Sequence, residues 1–153
     1  MVKTVFGNIA LDAAVTAWLA AQVIKFLGGW MITRRPNFRK LFQSGGMPSS
    51  HSSSTVALSV VIWKICGYAS PEFAISCMFT FIVMYDAAGV RHAAGQQARV
   101  LNHFLENWEE ITTTPKLMEK NLKEFLGHTP LEVIAGAILG VVVGVIFIWL
   151  ASF

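Results

Sequence analysis

Apolar residues gather into four long runs, separated by short stretches of polar character. A helix needs about 20 mostly apolar residues to cross the hydrocarbon core of a bilayer. The first run, "IALDAAVTAWLAAQVIKFLGGWMI" at 9–32, is interrupted by Asp12 and Lys25. The second covers about 53–69 and carries Trp63 as an interface residue. The third is "PEFAISCMFTFIVMYDAAGV" at 71–90, and the fourth is "LEVIAGAILGVVVGVIFIWLASF" at 131–153. In the fourth, Gly136, Gly140 and Gly144 recur every four positions and lay one smooth stripe along a helix, suited to close packing. Residues 91–127 are polar. Within them "ARVLNHFLENWEEI" at 98–111 sets Val100, Leu101, Phe104, Leu105, Trp108 and Ile111 at helical spacing. That pattern predicts an amphipathic helix lying at the interface. "TTTPK" at 112–116 breaks it, and "KLMEKNLKEFLG" restarts a helix ending at Gly127. The expected fold is all-α. It is an integral membrane bundle of four transmembrane helices plus an interfacial amphipathic segment, in one domain over residues 1–153.

Composition agrees. Charged residues make up 14% of the chain and hydrophobic ones 54%, against about 25% charged in soluble domains. The two cysteines, Cys66 and Cys77, have no Cys-x-x-Cys spacing, so neither a disulfide framework nor a zinc site is expected. Both read as small buried apolar side chains. The first run is too long for the apolar core of a signal peptide and lacks a strongly basic flank, so it stays a helix. Charge then sets orientation. With four antiparallel spans, Lys25, Arg34, Arg35, Arg39, Lys40, Arg91, Arg99, Lys116, Lys120 and Lys123 fall on one face, and only Lys3 and Lys64 on the other. The bias of basic residues toward the cytoplasm places the first face inside and both termini outside.

The same alternation gathers the chemically active residues. Ser49, Ser50 and His51 open the second span, and His128 opens the fourth. Asp86 and Arg91 close the third, while Lys25, Arg34 and Arg35 lie toward the end of the first. Two helix N-termini offer unpaired N–H groups and positive dipole ends, which suit phosphate. Lysines and arginines would clamp its other oxygens. Two histidines can divide a displacement at phosphorus, one attacking and one protonating the leaving oxygen. Glu132 shares a helix face with His128 and can hold its ring in one tautomer. Each residue also has a plainer reading. "TPLE" at 129–132 is a capping box with Pro130 at the first helical position. Ser49 can cap the second span and do nothing more. Two histidines opening two helices on one cationic face outweigh those single-residue accounts, because polar groups at a membrane site default to function.

These residues carry a family likeness. "PSSH" at 48–51 and "GHTPLEVIAG" at 127–136 resemble the second and last elements of the type 2 phosphatidic acid phosphatase (PAP2) superfamily, which also contains vanadium haloperoxidases. "AQVIK" at 21–25, "GGMPSSHS" at 45–52, "YDAAGVRHAAGQQA" at 85–98 and "LKEFLGHTPLEV" at 122–133 resemble its divergent short branch, the acid phosphatase/vanadium-dependent haloperoxidase-related proteins of bacteria and plants. The resemblance implies a bundle matching the catalytic half of the PAP2 core. It makes His128 the nucleophile of a phosphohistidine, Glu132 its orienting group in place of the usual Asp, and His51 the general acid. Ser49 and the backbone of Ser50 would bind phosphate, and Lys25 would match the first-element lysine. Two departures stand out. Eight residues separate Lys25 from Arg34 where the family spacing is shorter, and the third-element arginine is replaced by Leu122 beside Lys123. Arg91 could supply that missing cation, and Asp86 could pair with Arg91 or Lys25 or orient a ligand.

The reading these features support is a membrane phosphatase acting on a lipid phosphate. The candidates are phosphatidylglycerophosphate, phosphatidic acid and an isoprenoid pyrophosphate. No metal and no cofactor are expected, since Asp86 and Glu132 do not make a cation cage. The expected setting is a bacterial inner membrane with the site facing the cytoplasm. Partners would be the lipid substrate and membrane lipids, with no nucleic acid; the small-residue faces of the first and fourth spans would support a homodimer. The alternative is a non-catalytic binder or carrier of phosphorylated lipids using the same pocket. A vanadate-holding haloperoxidase comes third, and a structural scaffold, with no use for converging His and Arg, last.

Overall fold

The computed structural model describes residues 4–34, 46–108 and 128–151, and within the helix covering 90–108 the side chains of 93–104. The described residues are helical with no strand. The elements are α1 (Ile9–Thr33), α2 (Ser50–Cys66), α3 (Pro71–Ala88), α4 (Val90–Trp108) and α5 (Pro130–Ala151). Local chemistry sets most boundaries. Asn8 caps α1, its side-chain oxygen accepting from the N–H groups of Ala10 and Leu11. Ser70 caps α3 ahead of Pro71, where a missing N–H costs nothing. Gly67 ends α2 at φ +85, a backbone conformation that favours glycine.

The bundle is apolar outside and fine-grained inside. On α1 the buried face is Ala10, Ala13, Ala14, Ala17 and Ala21, while Leu11, Leu19, Val23, Ile24 and Leu27 are exposed. Such a surface would aggregate in water. In lipid, where helices associate through close packing and hydrogen bonds between small residues, it is the expected arrangement. Among the described residues, three helical stretches are long and apolar enough to cross a membrane: Ile9–Thr33, Pro71–Phe104 and Pro130–Ala151. The chain is a membrane protein by this architecture.

The second expected span differs from its forecast. Its helix begins and ends three residues earlier, at Ser50 and Cys66. It is the central helix, packed against α1, α3 and α5. That position explains its serines. Ser50, Ser52, Ser53, Thr55 and Ser59 are all buried, and several hold the bundle together. Ser53 Oγ donates to the Ala17 carbonyl of α1 at 3.2 Å. Thr80 Oγ1 of α3 donates to the Thr55 carbonyl at 3.0 Å and pairs with Ser59 Oγ at 3.0 Å. Each such interhelical bond contributes about 0.6 kcal/mol in a bilayer.

The glycine stripe of α5 meets α2 directly. A Cβ at Gly136 would collide with the Ser49 carbonyl; one at Gly140 would lie 2.5 Å from the Ser53 carbonyl, and one at Gly144 2.8 Å from Val60 Cβ. Three glycines thus let α5 lie parallel to α2 with their N-termini level. The stripe and the alanine face of α1 are both engaged within the chain, so neither argues for a homodimer.

Three further expectations change. Cys66 and Cys77 are exposed rather than buried, on the outward faces of α2 and α3. The third run does not stop at 90. Gly89 departs from helical angles, yet its N–H still bonds to the Tyr85 carbonyl and its own carbonyl accepts from Ala93, so α3 continues into α4. The amphipathic helix therefore starts at Val90 instead of 98. Its Val100, Leu101 and Phe104 are exposed, and the forecasts for residues 109–127 lie outside the described residues. Asp12, which interrupts the first apolar run, is buried near its start. Its carboxylate accepts from the N–H groups of Val5 at 2.8 Å and Phe6 at 3.0 Å, at the end of α1 opposite Lys25.

Candidate functional site

Parallel α2 and α5 place two helix N-termini side by side, and the backbone ties them together. The Ser49 N–H donates to the Glu132 carbonyl at 2.9 Å, and the His128 N–H donates to the Ala87 carbonyl at 2.9 Å. The starts of α2 and α5 and the end of α3 thus meet at one point. Residues 87, 49 and 128 are far apart in sequence but share this junction.

His128 is 2% exposed. Its Nδ1 lies 3.1 Å from Glu132 Oε2. A carboxylate has no proton to give, so Nδ1 donates, and the lone pair of the neutral ring sits on Nε2 at the opposite edge. Glu132 Oε2 also accepts from the Thr129 N–H at 3.1 Å, and Thr129 Oγ1 accepts from the Glu132 N–H at 3.4 Å. The capping box expected from "TPLE" is therefore present, and the same carboxylate orients the histidine. One carboxylate thus makes the capping bond and the histidine contact together. His51, in the first turn of α2, faces His128 with ring centroids 6.1 Å apart and planes at 61°.

Ser49 and Ser50 are buried at the α2 N-terminus. Ser49 Oγ accepts from the Ser52 N–H at 3.4 Å and from the Ser52 hydroxyl at 3.1 Å. The Ser49 hydroxyl hydrogen is then left to donate elsewhere. Lys25 reaches over from α1, is 8% exposed and places Nζ 3.3 Å from Ser50 Oγ. Its ammonium is near enough to Glu132 for the two charges to interact. Gly46, at φ +93, turns the chain into α2 and lies against the Lys25 stem, where a Cβ would be 3.6 Å from Cδ.

The remaining expected residues divide. Arg34 is not brought to the histidines. α1 stays helical through Thr33, so Arg34 ends it in an exposed left-handed cap, about 13 Å farther along the axis than Lys25 at 1.5 Å per residue. The long first-element spacing is thus held as helix, which carries the arginine away. Asp86 is half-buried in the last turn of α3, next to Ala87. Arg91 lies four residues past Ala87 in α4, so its backbone is at the site end of the bundle. Arg35 and Lys123 lie outside the described residues. One participant gives no signal in the sequence: the Ala87 carbonyl, which accepts from the His128 N–H, is backbone that any residue supplies.

Comparison with known proteins identifies the chain's family. YuiD of Bacillus subtilis (strain 168), named only as an uncharacterized membrane protein, is 39% identical over 142 residues, covering 88% of this chain and 90% of its own. No solved structure matches the chain with significance. The description "Divergent PAP2 family" fits residues 6–143, a span that includes Lys25, Ser49, His51, His128 and Glu132. The protein belongs to the Divergent PAP2 family.

Proposed function

We propose that this protein is a membrane phosphatase that hydrolyses a lipid phosphate through a phosphohistidine. The observation that carries the reading is the buried His128, held by Glu132 through Nδ1 and facing His51 across 6.1 Å. In this scheme the phosphoryl group sits between the two rings. Its oxygens take hydrogen bonds from Ser49, from the N–H groups opening α2 and from Lys25. Nε2 of His128 attacks phosphorus, the P–N bond forms and the P–O ester bond breaks. His51, protonated, gives its proton to the departing alcohol. Water then attacks the phosphohistidine with His51 as base, releasing inorganic phosphate and the His128 ring. Glu132 stabilises the imidazolium in between.

The bundle favours a lipid over a soluble ester. α2 has 17 residues, or about 25 Å of helix, shorter than a bilayer core of about 30 Å. Read as a span beside the three longer stretches, it would recess its N-terminus to the depth of the head groups, with the apolar outer surface in the acyl chains. The substrate tail then never leaves the bilayer. The basic residues near this end favour a cytoplasmic opening. The test is phosphate release from a panel of lipid phosphates in detergent with excess EDTA. Steady EDTA-resistant release is expected. A folded protein that binds these lipids and releases no phosphate would instead be a carrier.

A further inference from the structure

Lys25 is brought to the start of α2, whereas the continuing helix carries Arg34 away. Its ammonium stands on a flexible four-carbon stem, so its place is set by what it touches. Two groups compete for it. One is the carboxylate of Glu132, which attracts it through space. The other is the hydroxyl of Ser50, 3.3 Å from Nζ. An ammonium can only donate, so Ser50 Oγ accepts and the direction of this bond leaves no choice. Glu132 is engaged elsewhere. Its Oε2 takes His128 Nδ1 and the Thr129 N–H, and its close charged contact is with His128, not Lys25. Ser50 is the first residue of α2, and Ser49 before it is tied to the Glu132 carbonyl. The Lys25–Ser50 bond therefore stands at the junction that holds His128. Lys25 is 8% exposed and Ser50 1%, so water does not take the place of either partner.

From this arrangement we infer that the Ser50 side chain is a positioning residue that holds the Lys25 ammonium at the α2 N-terminus and off the Glu132 carboxylate. The two charges then keep separate duties. Glu132 orients the imidazole, and Lys25 keeps its remaining N–H groups for phosphate oxygens. Without the hydroxyl, the ammonium relaxes toward the opposite charge of Glu132. The phosphate loses its cation, and the histidine shares its carboxylate. The inference rests on the phosphate site of the proposed phosphatase. It gives the Ser50 hydroxyl a role separate from the backbone N–H groups that open α2.

The test is a double-mutant cycle on the full-length protein in detergent. The probe is a non-hydrolysable phosphonate analogue of phosphatidic acid, with binding scored per folded protein. Phosphate release from phosphatidic acid is measured alongside. Ser50→Ala removes only the hydroxyl; the Ser50 carbonyl that accepts from Ser53 Oγ stays. It is expected to weaken phosphonate binding about tenfold, the scale of one hydrogen bond to a charged group. Lys25→Met should weaken it further than that. Ser50→Ala added to Lys25→Met should then change binding by no more than about twofold, since the hydroxyl has no ammonium left to hold. Lys25→Ala takes the place of Lys25→Met should the latter not fold. A loss of about tenfold that persists without Lys25, or no loss from Ser50→Ala alone, overturns the positioning role while the phosphatase stands. Phosphonate binding with no phosphate release overturns the phosphatase, and the cycle still decides the role of Ser50. No binding by folded wild type overturns both.

Discussion

His128→Ala is expected to reduce phosphate release by about 10⁴- to 10⁶-fold, the scale seen when a covalent nucleophile is removed. Binding of a non-hydrolysable lipid phosphonate should change only a few-fold. The contrast follows from where the interactions lie. In the proposed scheme Ser49, Lys25 and the α2 N–H groups would hold the phosphate, and their own hydrogen bonds do not run through the imidazole. The ring is needed only for the bond made to phosphorus. Because His128 is 2% exposed, its removal leaves a cavity. His128→Gln fills most of that space and serves as the control for packing. Loss of turnover in both variants with binding kept supports the nucleophile. Turnover within tenfold of wild type in either variant removes His128 from that role.

Gly136→Ala is expected to lose about 100-fold in activity, because a displacement of about 1 Å at a catalytic constellation has that effect. The added Cβ meets the backbone carbonyl of Ser49 and comes within 3.0 Å of Ser52 Cβ. Backbone cannot swing aside as a side-chain tip can. α2 must move off α5, and Ser49 and His51 move with it. The cost in stability should be about 1–3 kcal/mol. Gly28→Ala is the matched control, since a Cβ there has nothing within 4 Å. Thermal unfolding in detergent and phosphate release, measured on both variants, check the pair. Equal behaviour of the two would mean that the α2–α5 contact does not set the site.

What the sequence reveals and what it hides follow from the same physics. Run length and apolarity identify α1, α3 and α5 because a bilayer imposes both. The glycine spacing reveals a packing face, but no pattern in one helix names its partner, and the partner proved to be α2 of the same chain. Ser53 and Ser59 carry no signal of their role in sequence; they are buried in the central helix and bonded to Ala17 and Thr80. His51, His128, Glu132, Lys25, Ser49 and Ser50 were legible because alternating helices return them to one plane. The place of Arg34 is not readable from spacing, which does not show whether the eight residues after Lys25 fold back or continue as helix. The Ala87 carbonyl was invisible, since any residue supplies one.

The most direct test of the central claim is to trap the covalent species. Wild-type protein would be mixed with a lipid phosphate, quenched within the first turnover under alkaline conditions and digested for mass spectrometry. The expected result is phosphate on the peptide containing His128, stable in alkali and lost in acid, and absent from His128→Ala. Continued turnover with no such adduct, or with phosphate on Ser49 instead, would contradict the account.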